Sequence, residues 1–259
     1  WRAGPKRATR TPKNAMLGLT LMVCFAWSAR ALRTTTFEPV AGGRAVVIRA
    51  SLDDAGQHKL YAGLRRAARG TYEEQRFLSG DAPARDGTPS PLAVWRHPYS
   101  GETNIAASPA PLLAWGRGLA LEAAGLLSSS HNPIFFDSLV SLVYPAGGRL
   151  GRHVDDGLPG LGLVVSLGAS CTFALADDML ELASGDALLA PFGVVEHEVL
   201  RTGSLDDAPP WWRDLPAVES FDGRAVRCSV LLRQRRPGVQ PAREEPLAVR
   251  SSRDRRGNN

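Results

Sequence analysis

A mainly β, α+β fold is predicted for this 259-residue chain, with the strands concentrated in its second half and the helices in its first. Three observations predict it. Leu161–Leu167 and Ser170–Leu175 are apolar runs of strand length divided by Gly168. Arg227–Arg233 reads as another buried strand with an arginine at each end, and the stretches after Ser51 and from Ala110 to Leu127 read as helices.

Taken in order, residues 1–37 read as a targeting leader. The apolar run from Leu17 to Trp27 is shorter than the roughly 20 residues of a bilayer span. It ends at Ser28-Ala29-Arg30-Ala31, an A-x-A-like cleavage site, so a signal peptide is expected over about 16–31. Arg33-Thr34-Thr35-Thr36 is hydroxylated, basic and free of acids, like a transit peptide. The combination favours a plastid reached through the secretory route, with secretion or mitochondrial import as alternatives. No stable membrane span is expected once the leader is removed.

Val46-Val47-Ile48 looks like a first strand. Ser51 and Asp54 fit a capping box opening a helix whose apolar side is Leu60, Leu64 and Ala67. Ser79–Ser108, rich in Pro, Gly, Ser and Ala, reads as one long loop holding Trp95-Arg96-His97-Pro98-Tyr99. Pro145-Ala146-Gly147-Gly148 forms a turn between Tyr144 and His153. Ser184-Gly185-Asp186 opens Ala187–Ala190, and Pro191-Phe192-Gly193 turns toward His197. Residues 234–259, with Pro237, Pro241 and Pro246 among charges, read as a disordered basic tail. One domain over 38–233, without internal repeats, is expected, and a monomer.

The formal charge of +5 belongs to the ends. Residues 1–37 carry seven basic and no acidic side chains and residues 234–259 carry seven and three, which leaves 17 basic against 23 acidic groups in 38–233. Phosphate neutralisation supplies much of the affinity for nucleic acid, so such a partner needs clustered cations on this acidic core. Arg65, Arg66 and Arg69 are one cluster, with a solvated helix face as the plainer reading. Three cysteines, one of them in the leader, make no disulfide framework, and Cys171 and Cys228 suit small core positions. His58, His97 and His131 read as surface residues. Trp211 and Trp212 either stack on a base or staple a long loop to the core.

The chemistry centres on His153-Val154-Asp155 and His197. Residues two apart on an extended strand point the same way, so His153 and Asp155 can grip one ion together. A distal histidine completes a facial triad, the ligand set of non-haem Fe(II) oxygenases. A lone His-x-Asp is common by chance, and the ordered surroundings give this one its weight. Asp156, beside it, reads as a solvated neighbour of the ligand rather than a fourth ligand.

Residues of about 136–235 resemble the catalytic core of the AlkB-like Fe(II)/2-oxoglutarate dioxygenases in motif and in order. The resemblance implies a double-stranded β-helix, a jelly-roll barrel with the metal at its mouth and flanking N-terminal helices. It implies that His153, Asp155 and His197 hold Fe(II), that Arg227 pairs with the far carboxylate of 2-oxoglutarate, that Tyr144 and Ser229 help hold that end, and that Arg233 lies near the keto-acid end or the substrate. Arg227-Cys228-Ser229 also fits the arginine-x-serine pattern of 2-oxoglutarate oxygenases. The implied reaction consumes molecular oxygen, converts 2-oxoglutarate to succinate and carbon dioxide, and hydroxylates a C–H bond. The leading expectation is oxidative demethylation of N-methylated bases in RNA or DNA. Hydroxylation of a protein or small molecule is the alternative, and a binding module with a disabled site a further one. A reducing destination suits Fe(II).

Two departures stand out. Leu142 occupies the position two before the tyrosine where the family usually has asparagine. His197 is followed by Glu198-Val199-Leu200 rather than a small residue and a proline turn, and a polar loop with Pro209-Pro210-Trp211-Trp212 precedes Arg227.

Overall fold

The middle of the larger sheet is built from strands that are apolar on both faces. A computed structural model describes residues 35–68, 73–76, 91–96, 110–128, 134, 136–155, 160–221 and 223–234. The elements in chain order are β1 (Thr36–Val40), β2 (Ala45–Arg49), α1 (Asp54–Ala68), β3 (Glu73–Arg76), β4 (Ala93–Arg96), α2 (Ala110–Ala124), β5 (Ser138–Pro145), β6 (Leu150–His153), β7 (Gly162–Gly168), β8 (Cys171–Leu175), β9 (Asp178–Leu182), β10 (Ala187–Ala190), β11 (His197–Thr202), α3 (Pro210–Arg213) and β12 (Ala225–Arg233).

They form an eight-stranded sheet in the order β1-β2-β10-β7-β12-β5-β4-β3 and a four-stranded sheet in the order β6-β11-β8-β9. The described pairings are antiparallel throughout. Successive side chains on a strand point to opposite faces, and the apolar residues divide accordingly. Leu163, Val165 and Leu167 of β7, with Val226, Cys228, Val230 and Leu232 of β12, belong to one core layer, which also takes in Leu60 and Leu64 of α1 and Leu112, Ala120 and Ala123 of α2. Val164 of β7, Leu231 of β12 and Leu188 of β10 belong to a second layer with Phe173, Leu175, Leu180 and Leu182 of the smaller sheet. The larger sheet is thus covered by helices on one face and by the smaller sheet on the other. This agrees with the predicted mainly β, jelly-roll architecture with flanking helices.

Close approach on the helix side depends on Gly116, where an added Cβ would stand 2.2 Å from Leu232 Cδ1. At the end of β7, Gly168 has φ +86°, and a Cβ there would meet the Val226 carbonyl oxygen at 2.4 Å. That position admits glycine on both grounds.

Several expectations change. The helix is capped by Asp53, whose Oδ1 accepts from Gly56 N–H at 2.8 Å, while Ser51 Oγ donates to the Gly185 carbonyl. A short polar side chain with local reach takes the cap wherever the chain turns, here two residues later. The segment read as one loop contains β4, and Trp95 within it is fully buried opposite Ser141 of β5. Residues 77–90 and 97–109 lie outside the described residues, as do His97, His131, Asp156, residues 1–34 and 235–259. β1 takes in Thr36 and Phe37, the last two residues of the segment read as leader. Arg65 is neither a phosphate contact nor on a solvated face. It is buried, donates to the Val218 carbonyl, and lies over the rings of Trp95 and Phe221 at 5.4 and 4.9 Å. Arg66 is exposed and Arg69 lies outside the described residues. Among the described residues no helix is long and apolar enough to cross a membrane.

Trp212 staples its loop to the core. It is 1% exposed and donates Nε1–H to the Ala225 carbonyl at 3.0 Å, and Tyr61 packs on it at 4.6 Å. Trp211 is half-buried beside His58 and Tyr61. Burying a large aromatic this completely predicts that Trp212→Ala costs about 3–5 kcal/mol. Urea denaturation measures it, and a loss below about 1 kcal/mol would show that the loop is held by something else.

Candidate active site

The histidines meet because β6 and β11 are ladder neighbours in a register that sets His153 opposite His197. Their ring centroids are 4.3 Å apart. Asp155 follows the end of β6 by two residues and is fixed by its backbone N–H, which donates to the Phe192 carbonyl at 2.9 Å. Its Oδ1 lies 3.7 Å from His153 Nε2, and one ligand atom from each of the three residues falls within 4.8 Å of the others.

Each group is oriented for donation. His153 Nδ1 is 2.7 Å from the Gly151 carbonyl and His197 Nδ1 is 3.0 Å from the Val195 carbonyl. A carbonyl only accepts, so both Nδ1 atoms carry the proton and both Nε2 atoms present a lone pair. Burial pushes the His197 imidazole below its ordinary range; the Val195 carbonyl opposes this and neighbouring His153 adds to it. A neutral ring is the ligating form. Phe173 stacks on His197 and Phe192 meets it edge-on at 4.8 Å, so two phenylalanines wall the buried ring. These two phenylalanines escaped the sequence reading, and nothing in their local sequence separates them from ordinary core.

The carboxylate is divided between two tasks. Asp155 Oδ1 accepts from Arg233 Nη2 at 3.2 Å, while Oδ2 is buried and has no hydrogen-bond partner. Two imidazole nitrogens and a carboxylate converge, a donor set that fits Fe(II) with coordination positions left open. The site opens to solvent on the His153 side, whose side chain is 34% exposed against 7% for Asp155. Arg152, beside it, pairs with Glu196 and Glu198 at 3.5 and 3.4 Å.

Further along β12 the same face carries Arg227 and Ser229, since Arg227, Ser229, Leu231 and Arg233 alternate with the residues facing the helices. Arg227 is 0% exposed, and Nε, Nη1 and Nη2 all lack a hydrogen-bond partner. Its guanidinium lies 5.4 Å from the ring centre of Tyr144, its direct ladder partner on β5. Arg227 lies on the same face of β12 as Leu231, which packs into the layer between the sheets. Burial pushes the Tyr144 hydroxyl up to about 12, against the opposing pull of Arg227 and of a hydrogen bond with Ser229, so the phenol keeps its proton as a donor. Leu142, partly buried, packs into this same inter-sheet layer.

A buried arginine with no acceptor is an unfinished site. Leaving such a charge uncompensated costs about 3–5 kcal/mol, and a carboxylate meets a guanidinium fork in two parallel hydrogen bonds. The residues present therefore fit a carboxylate-bearing cosubstrate. A surface cleft of about 330 Å³ lined by Cys171, Thr172, Glu181, Arg201, Thr202 and Asp207, with Ser170, Gly203 and Ser204, includes none of the triad and none of Tyr144, Arg227 or Ser229.

No protein-family model matches the chain, and no curated protein matches it. Among solved structures it is similar to the AlkB homologue OsALKBH1, with a TM-score of 0.57 and 17% identity over 77% of this chain and 100% of that one. It is also similar to a 2OG-Fe(II) oxygenase-family oxidoreductase from Burkholderia pseudomallei, with a TM-score of 0.47 and 14% identity over 74% of this chain and 85% of that one. A prolyl-4-hydroxylase from Pseudomonas putida gives a TM-score of 0.43 and 19% identity over 76% and 95%. At this identity the likeness to OsALKBH1 shows a shared fold.

His153→Ala removes one of three ligands and is expected to lower affinity for Mn(II) or Co(II) at least 100-fold, with the far-ultraviolet dichroism unchanged. Metal titration followed by Co(II) absorption checks this, and undiminished affinity would take His153 out of the ligand set.

Proposed function

We propose that this chain is an Fe(II)/2-oxoglutarate-dependent dioxygenase, with oxidative demethylation of an N-methylated base in RNA or DNA as its leading activity. The observation that carries the reading is the unpartnered Arg227 guanidinium, buried between the sheets on the strand face that ends in Arg233, the partner of Asp155. A triad alone would suit any divalent metal, and a buried cation alone would suit any anion. Together they call for a ligand that is both a chelator and a dicarboxylate.

With Fe(II), 2-oxoglutarate and oxygen bound, the group supplies oxidative decarboxylation coupled to hydroxylation of a C–H bond, and an N-methyl group so hydroxylated breaks down to formaldehyde and the free amine. The chain's own residues prepare that chemistry. The Gly151 and Val195 carbonyls hold the imidazoles in the ligating tautomer, and Arg233 orients the Asp155 carboxylate beside His153. Arg227 binds the far carboxylate, flanked by the Tyr144 hydroxyl and Ser229. Phe173 and Phe192 exclude water on one side of His197, and the half-exposed side at His153 admits the substrate.

The nucleic-acid substrate is supported by the fold and by the expectation drawn from the family resemblance. The acidic balance of residues 38–233, with 17 basic against 23 acidic groups, favours the alternative that the same chemistry acts on a protein or small molecule. Succinate and formaldehyde are therefore measured with Fe(II) and 2-oxoglutarate, with and without methylated tRNA and methylated oligonucleotides. Stimulation by the methylated nucleic acid with stoichiometric formaldehyde is the expected result. Basal turnover without stimulation would move the substrate to the alternative class. No turnover and no 2-oxoglutarate binding would leave a binding module with a disabled site.

Arg227→Ala removes charge-assisted hydrogen bonds of about 1.5–3 kcal/mol each. The 2-oxoglutarate concentration for half-maximal turnover is expected to rise at least tenfold. An unchanged requirement would relocate the cosubstrate, with Arg233 as the next cation on that face.

A further inference from the structure

Ser166 is the one polar residue of the apolar run Leu163–Leu167 in β7, and it is fully buried. Leu163, Val165 and Leu167 face the helices and Val164 faces the smaller sheet, so alternation turns Ser166 toward the inter-sheet space. Its backbone is satisfied, with N–H donating to the Asp186 carbonyl and the Ser166 carbonyl accepting from Gly185. Its hydroxyl has no partner. Buried hydroxyls are nearly always hydrogen-bonded, and one left open on a strand floor asks for an acceptor from outside the protein.

The register identifies where that acceptor sits. Ser166 is the direct ladder partner of Ser229, and Ser229 is the direct partner of Leu142, so the three form one row across β7, β12 and β5. The adjacent row holds Arg227 and Tyr144. Direct ladder partners are about 5 Å apart and diagonal ones about 7–8 Å, which brings the Ser166 hydroxyl within reach of a group held by Arg227. On this floor Ser229 and Tyr144 are diagonal neighbours across β12 and β5. Leu142 offers no polar atom.

We infer that Ser166 is a cosubstrate-binding residue, whose hydroxyl donates to the carboxylate held by Arg227 from the side opposite Leu142. The inference rests on the 2-oxoglutarate reading of the site and deepens it. It assigns a polar contact to β7 in a floor where β5 supplies an apolar side chain. The other sheet residue with an open hydroxyl, Ser141, is equally buried but faces the helix side opposite Trp95 and has no such role.

The test titrates 2-oxoglutarate into the Mn(II)-loaded full chain by calorimetry and records thermal melts with and without the ligand, for wild type, Ser166→Ala and Ser141→Ala. Ser166→Ala is expected to raise the Kd roughly tenfold. It should melt no lower than wild type without ligand, since it removes a hydroxyl that the protein itself does not satisfy, and the upward shift on adding 2-oxoglutarate should shrink. Ser141→Ala should bind as wild type. An unchanged Kd in Ser166→Ala overturns the inference and leaves the parent reading standing. A lower ligand-free melting temperature together with weaker binding, or equal weakening in Ser141→Ala, overturns it in favour of a structural role. Failure of the wild type to bind 2-oxoglutarate overturns both.

Discussion

Strand β12 lies between β7 and β5 in the larger sheet, and it serves two environments at once. Its Val226, Cys228, Val230 and Leu232 close the helix-side core, while Arg227, Ser229, Leu231 and Arg233 line the space under the smaller sheet. A strand has a period of two, so neither set can move without the other, and a slip of one residue would put both arginines into the hydrocarbon layer beneath α1 and α2. That penalty pins the register of β12 against β5 and β7, and through it the placement of Tyr144 opposite Arg227 and Ser166 opposite Ser229. The second fixed pairing, His153 opposite His197, comes from the smaller sheet. The two are joined where Arg233 reaches Asp155.

The polar atoms left open in the inter-sheet space give the site its character. The Arg227 guanidinium, Asp155 Oδ2 and the Ser166 hydroxyl are all buried without hydrogen-bond partners. Each lowers the stability of the ligand-free fold, and each is the kind of group that a metal or a carboxylate satisfies. Folding and ligand binding are thereby linked: whatever completes the floor stabilises the native state as well as preparing it for chemistry. Other buried polar groups are satisfied by the protein itself, Asp186 and Trp212 among them. Buried Asp186 accepts from Ala50 N–H, Ala183 N–H and Arg49, and Trp212 donates to Ala225.

Much of this was legible in the sequence, for identifiable reasons. β7, β8, β10 and β12 are apolar on both faces and so stand out as runs, and His-x-Asp with a distal histidine announces itself by spacing. The shorter, half-exposed β6 and β9 lack such a run, since Gly151, Arg152, Met179 and Glu181 face solvent. β4 was hidden because four residues set among Pro, Gly and Ser give no periodicity, and only pairing with β5 makes Ala93–Arg96 a strand. Arg65 misled because composition counts it as a surface charge, whereas Trp95 and Phe221 supply aromatic faces that only the folded chain brings together. Ser166 carried no signal beyond being the one polar residue in an apolar run.

The central claim is that the buried charge of Arg227 selects a dicarboxylate that also chelates the metal held by the triad. The direct test compares 2-oxoglutarate with 2-oxobutyrate, which shares the chelating end and lacks the far carboxylate, for binding to the Mn(II)-loaded wild-type chain by calorimetry. 2-Oxoglutarate is expected to bind at least about 100-fold more tightly, as one charge-assisted bidentate contact requires. Equal affinities for the two acids would contradict it.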